Sequence, residues 1–286
     1  MSKKVVFIAL LAGLILAFGF AIASAQEPGD PTVCKTCHSD EYGDWSASAH
    51  PNSLEDLVAT GYGKDFCLKC MSTDWRLAPE DAKPTLDTAK FGVTCLGCHP
   101  AAHETPGDDK TVITDVFATC TDCHTASLEE GAKFEAGAAV HHPQLEIMTG
   151  VGAIGVDDMA SPHGSLDCNT CHVEGHLYEP ADEACATCHG TAKTIVGVHG
   201  EIEPLLEALS TRLDAVPEEQ QEEEAYKVAY TNYSYVSADA SGGVHNEPYI
   251  EAIIDEANAS LDQLPAVAAA PTATPVPTPE VVPVTG

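Results

Sequence analysis

All 12 cysteines of this 286-residue chain fall into C-x-x-C pairs. They are Cys34/Cys37, Cys67/Cys70, Cys95/Cys98, Cys120/Cys123, Cys168/Cys171 and Cys185/Cys188. Five of the six pairs are followed at once by histidine: His38, His99, His124, His172 and His189. With 13 His among 286 residues, five such hits in six places arise by chance on the order of once in a million. Every pair lies within residues 31–190, so each has about 27 residues to itself. Segments that short cannot each enclose an aliphatic core. The chain carries 7 Phe, 8 Tyr and 2 Trp, and much of its 44% hydrophobic content is Ala, an N-terminal apolar run and a C-terminal Ala/Val/Pro tail. Something other than side chains must fill the interior.

The residue after each pair identifies the filler. Two thiols three residues apart can form thioethers to the two vinyl groups on one edge of a haem. The adjacent imidazole then lies under the iron as its fifth ligand. Zinc ribbons need two pairs per metal and no histidine fixed after each, and a disulfide scaffold has no preference for the next residue. The pattern therefore points to covalent haem c, complete at five sites, with a sixth expected at Cys67/Cys70. That pair is followed by Met71. Three readings stay open there: a pair that has lost its haem, a haem with Met71 or a distant residue as fifth ligand, and a haem with an open axial position. Attachment is favoured, because the spacing is kept and the pair falls in order among the others.

Low-spin haems take two protein ligands each, and eight further histidines supply them: His50, His103, His141, His142, His163, His176, His199 and His245. His103 and His176 each lie four residues after a motif histidine, on one side of a helical turn. Only one of each such couple can serve the haem just attached, so the second is expected to reach a neighbouring haem.

The ends of the chain are of different character. Lys3 and Lys4, the apolar run Val5–Ile22 and Ala23-Ser24-Ala25 read as a signal peptide over residues 1–25, with an uncleaved anchor as the minor alternative. This predicts an exported protein, periplasmic or at the cell surface, with membrane association only through that segment. Residues 26–200 form the predicted haem domain. Residues 201–264 carry 15 acidic and 2 basic side chains, with Ile202, Leu205, Leu206, Leu209 and Leu213 on one helical stripe. A second helix is expected from Pro217 to Tyr235, and a third from Pro248 with Ile250, Ile254, Ala257 and Leu261 inward. Thr149–Gly155 is a glycine-rich loop without nucleotide-binding context. Residues 265–286 are a Pro/Ala/Thr/Val tail expected to stay extended, and their closing Val282–Gly286 bears a weak likeness to a cell-wall sorting motif. The fold class expected is mostly α with much irregular loop, wrapped around a packed haem array and closed by C-terminal helices.

Charge narrows the function. Thirteen Lys and Arg against 44 Asp and Glu give a net charge of -31, which repels nucleic acid and favours cationic or cytochrome redox partners. Homo-oligomers or filaments are compatible with this reading and have no sequence signature.

The C-x-x-C-H array is identified as that of a multihaem cytochrome c. Cys34-Lys-Thr-Cys-His38 followed by Tyr42, Trp45, Ser48 and His50 resembles the opening of the cytochrome c554-like group. So does the order of Phe66-Cys-Leu-Lys-Cys70 and Gly92-Val-Thr-Cys-Leu-Gly-Cys-His99. Asn232-Tyr-Ser-Tyr-Val236, then Gly243-Val-His-Asn246 and Tyr249, is similar to a segment of the pentahaem nitrite reductases. There the histidine of the His-Asn pair ligates a haem, which implies the same for His245. Those enzymes carry C-x-x-C-K at their catalytic haem, and Met71 stands where that lysine would be. Two functions are consistent with these residues: electron transfer between redox partners along six haems, and, as the alternative, reduction or oxidation of a small nitrogen compound at Cys67/Cys70. In the second, Arg76 is the candidate anion binder, against an ordinary surface ion pair with Asp74 or Glu80. A structural disulfide or zinc protein is a distant third class.

Overall fold

The computed structural model describes residues 27, 29–99, 113–172 and 175–265. The leader, the tail and His103 lie outside the described residues. Within them the chain is helix and irregular loop with no strand, as expected from short segments pinned by local motifs.

Two textures divide the chain. Residues 29–190 make helices of nine residues or fewer, among them Ser39–Ala47, Ser53–Ala59, Leu68–Met71, Cys95–Cys98 and Val116–Thr121. The buried hydrophobic side chains between residues 29 and 99 are Trp45, Leu57 and Leu68. Trp45 is tied by its indole N–H to the Val93 carbonyl (2.9 Å), which holds the first motif's helix against the third motif.

The aliphatic core lies elsewhere. Three long helices, Ile195–Asp214, Glu224–Asp239 and Glu247–Leu261, pack on one another. They bury Val198, Ile202, Leu209, Leu213, Tyr235, Val236, Tyr249, Ile250, Ile253, Ile254, Ala257 and Leu261. Val140, Ile147 and Ala153, from the stretch between the fourth and fifth motifs, complete the cluster. Asn232, fully buried, stitches that stretch to the second helix: its Oδ1 accepts from Ile154 N–H (3.0 Å) and its Nδ2 donates to the Ile154 carbonyl (3.0 Å).

Two helix expectations need correction. Leu205 points outward with 44% exposure; the buried stripe runs Val198, Ile202, Leu209 and Leu213, and Leu205 lies at its edge. The second helix begins at Glu224, not Pro217. Glu218–Gln220 forms a separate 3-10 turn, because crowded like charges oppose a continuous helix. The third helix matches its expected start, with Pro248 in its first turn.

Candidate cofactor-binding array

Each complete motif closes the same local turn. The amide of the histidine donates to the carbonyl of the first cysteine at four motifs: His38 to Cys34 (2.9 Å), His99 to Cys95 (2.8 Å), His124 to Cys120 (2.9 Å) and His172 to Cys168 (3.0 Å). At the sixth motif, Cys185 to His189 lies within the helix Asp182–His189. One helical turn brings residues i, i+3 and i+4 to one side, so two thiols and an imidazole converge. Cys67–Met71 takes the same turn, with Met71 ending the helix Leu68–Met71 where the other motifs have histidine.

Between motifs, imidazoles meet in pairs. His99 lies 6.2 Å from His176, ring centre to ring centre, His189 lies 6.0 Å from His163, and His172 lies 6.4 Å from His245. His124 stands between two, His50 and His142, each at 6.3 Å. Two metal–imidazole bonds of about 2.0 Å, with each ring centre roughly 1.1 Å behind its nitrogen, separate the centres by roughly 6.2 Å. The pairs therefore fit one iron between two rings. Groups of three or more metal-binding side chains are absent among the described residues. A bare zinc ion needs three or four protein donors; an iron already held by four porphyrin nitrogens needs two. No disulfide joins any of the twelve cysteines.

The surroundings prepare these imidazoles as ligands. Burial pulls the pKa values of His50, His124 and His142 below the usual value, and His124 is pulled further by the two imidazoles beside it. A neutral ring is the form that binds a metal. In the His172/His245 pair the Nδ1 atoms are already engaged. His172 Nδ1–H donates to the Tyr178 carbonyl (2.6 Å) and His245 Nδ1–H to Asp239 Oδ1 (2.7 Å). The Nε2 lone pairs are thereby left for an iron. Burial pulls the His245 pKa down, and the Asp239 hydrogen bond and charge more than reverse it.

Thiols of different motifs also touch, and this orders the motifs in space. Cys34 is hydrogen-bonded to Cys95, Cys70 to Cys123, and Cys120 to Cys168. Cys171 lies in the electrostatic field of Cys185, and Cys120 in that of Cys98. Motifs one, three, four, five and six thus run in that spatial order, with motif two beside motif four. Burial, then the neighbouring Cys34, pushes Cys95 up to about 11. The hydrogen bond from Cys123 pulls Cys70 down to about 7.

Cys37 and Cys188 depart from the other ten thiols. A packed array implies thiols at least half-buried between motifs, and ten of the twelve are so placed, but Cys37 and Cys188 are exposed. They belong to motifs one and six, the first and last along the chain. Their partners Cys34 and Cys185 face the array, Cys34 against Cys95 and Cys185 towards Cys171, while Cys37 and Cys188 lie on the outer side. The motif histidines His38 and His189 are exposed with them.

Arg76 sits at the second motif, 3.3 Å from Asp122, within the Cys120–Cys123 motif. Lys69 approaches the same carboxylate at 3.9 Å. Asp74 and Glu80, the partners expected for Arg76, are engaged elsewhere. Asp74 accepts from the backbone amides of Lys90 and Phe91, and Glu80 pairs with Lys83. The ion pair links motif two to motif four.

Not every expected ligand is drawn to a motif. His199 turns one nitrogen to the Ser241 carbonyl (3.1 Å) and the other to Glu203 (3.4 Å), tying a helix to a loop. His199 stands as a tie between these segments and faces no other imidazole among the ring pairs above. His141 is exposed beside His142. His38 lies 3.9 Å from Glu41. Tyr178 and Asp239 carry no sequence signal and emerge from the structure: Tyr178 packs edge-on at 5.0 Å from His50 and 5.9 Å from His176. Its φ of 62° is rare for a bulky residue.

Two solved structures are similar to this chain. The chain is similar to the outer cell wall cytochrome OcwA, with 32% identity and a TM-score of 0.67, over 77% of this chain and 50% of that one. It is also similar to an undecahaem cytochrome from the S-layer of Carboxydothermus ferrireducens, with 25% identity and a TM-score of 0.69, over 83% of this chain and 46% of that one. The chain thus spans about half the length of the structures it matches. No protein-family profile and no curated protein sequence matches it.

Proposed function

We propose that this chain, which belongs to the multihaem cytochromes c, carries electrons along six covalently bound haems between exported redox partners. Imidazole pairs from distant segments, spaced for one iron each, are the observation that carries this reading. Bound haem supplies a one-electron iron couple whose potential depends on axial ligands, hydrogen bonds and burial.

The protein's part is attachment, ligation and spacing. The cysteines of the six motifs hold the porphyrins by their edges, with Cys37 and Cys188 on the outer sides of the two terminal haems. His38, His99, His124, His172 and His189 bind from the motif side, with His176 opposite His99, His163 opposite His189 and His245 opposite His172. Either His50 or His142 completes the site of His124. Two-sided ligation closes an iron to substrate and favours transfer over catalysis. The thiol contacts support a relay through motifs one, three, four, five and six, with motif two as a branch from motif four.

The leader supports export, and the net charge of -31 supports cationic partners steered from a distance. Similar structures described as cell-wall and S-layer cytochromes support a place at the cell surface. Catalysis on a nitrogen compound at Cys67/Cys70 is the weaker reading, since its candidate anion binder, Arg76, is held by Asp122. Low-temperature EPR and mass spectrometry of the purified holoprotein test the proposal. Six haem masses and low-spin ferric signals are expected. A haem count below five overturns it, and a high-spin signal that shifts on adding nitrite or hydroxylamine supports the catalytic reading instead.

A further inference from the structure

We propose that Asp239 is a positioning residue that, through His245, lowers the potential of the haem at Cys168/Cys171. The proposal rests on the ligation of that iron by His172 and His245.

Asp239 ends the helix Glu224–Asp239, and its side chain is fully buried. Ala240 comes next with a left-handed φ of 56°, and the turn it starts returns His245 beneath the carboxylate. Oδ1 accepts from His245 Nδ1, and Oδ2 accepts from the Ser241 hydroxyl. Ser241 Oγ also accepts from the His245 backbone amide (3.3 Å). No lysine or arginine is paired with Asp239 among the described residues. A buried carboxylate without a cation is costly; here an imidazole N–H and a hydroxyl are its partners.

The surroundings of His245 differ from those of three other histidines, His172, His38 and His199. The opposite ligand, His172, donates to a neutral carbonyl. Where carboxylates approach other imidazoles, at His38/Glu41 and His199/Glu203, both carboxylates are well exposed and the distances are 3.9 and 3.4 Å. A carboxylate that accepts the Nδ1 proton strengthens the Nε2 donor and fixes the ring's orientation. Its buried negative charge, at the negative end of a helix, favours ferric over ferrous iron. Outer hydrogen bonds and burial are recognised levers on haem potential. Motif five lies between motifs four and six in the order the thiols give.

The test is redox titration of the holoprotein, followed optically and by EPR, with mass spectrometry to count haems. Asp239→Asn keeps the shape and removes the charge. One haem of the array should become easier to reduce, with at least a tenfold higher reduced-to-oxidised ratio at fixed potential, about 59 mV for one electron. Asp239→Glu should restore most of the wild-type value, and Ser241→Ala should move it by less than Asp239→Asn. Unchanged potentials in a fully loaded Asp239→Asn protein overturn the proposal. If that variant fails to load its haems, the wild type decides. One low-spin species with g-values compressed toward those of an imidazolate ligand supports the role of Asp239, and its absence overturns it. Alkylation of Cys168 and Cys171 in the purified holoprotein would show instead that the ligation reading has failed at this site, and the proposal with it.

Discussion

The imidazoles of His99 and His176 stand 6.2 Å apart with their planes 30° from parallel, although His176 lies four residues after the neighbouring motif histidine, His172. The relationship crosses motifs: the segment after motif five returns to serve motif three. Such crossing makes motifs three and five mechanically dependent, because one loop positions an imidazole at each.

His176→Ala should therefore unbalance motif three while leaving its attachment intact. The holoprotein should keep its full haem mass, because the cysteines are untouched. One low-spin ferric signal should be replaced by a high-spin one. His176→Met should instead stay low-spin, with one haem raised in potential, since thioether ligands raise it relative to imidazole. EPR with mass spectrometry separates the two variants.

Cys67 and Cys70 decide the haem count. Replacing both with alanine should lower the holoprotein mass by one haem and leave five. An unchanged mass would retire attachment at this motif. The Met71→His variant should lower the potential of one haem if Met71 binds the iron there, and an unchanged titration would exclude that role.

The Arg76–Asp122 ion pair (3.3 Å) joins motif two to motif four across partly exposed surface. Screening limits such pairs to about 0–1 kcal/mol. Asp122→Asn should thus cost little stability by chemical denaturation. Its larger effect should be electrostatic, raising the potential of the motif-two or motif-four haem by removing a negative charge. Added salt should shrink the difference between variant and wild type.

Asn232 should matter far more for stability. It is fully buried, and its two hydrogen bonds satisfy the N–H and carbonyl of Ile154. Asn232→Ala removes the partner of both part-buried groups, at up to about 1–3 kcal/mol each. A lower melting temperature is expected with a nearly unchanged haem spectrum. Loss of haem signals at low temperature would show instead that Asn232 is needed to hold the haems.

Sequence reading captured what is local. Cysteines three apart and a histidine four from the first cysteine act within one helical turn, so the motifs and their converging side chains were legible. Ile250, Ile254, Ala257 and Leu261 show a helical face for the same reason. Pairing was not legible: His172 and His245 lie 6.4 Å apart in space but in separate segments, and no periodicity links them. Nor does the motif reveal which thiols end up outside. Cys37 and Cys188 have the same spacing as the rest and are nevertheless exposed. Asp239 was invisible for a different reason. It is one of 44 acidic residues, and only the left-handed turn at Ala240 brings it over an imidazole. His199 was a plausible ligand by residue type, but helix packing turned it to Ser241 and Glu203.

The glycine-rich run also had a hidden role, which Gly150 tests. Its φ is 69°, in the left-handed region, and a Cβ there would overlap the Met159 carbonyl. Gly150 O accepts from Met159 N–H (2.8 Å), and Ser161 Oγ, two residues on, donates to the His245 carbonyl (2.6 Å). His163 lies just beyond and faces His189 at 6.0 Å. Gly150→Ala must therefore shift the stretch of chain that positions two ligands. The left-handed conformation alone costs about 1–2 kcal/mol for a residue with a Cβ, and the clash adds to it. The melting temperature should fall, and the disturbance should reach the haems of motifs five and six, broadening or splitting their EPR signals. A variant as stable as the wild type, with all signals unchanged, would show that the loop does not hold His163 and His245 in register.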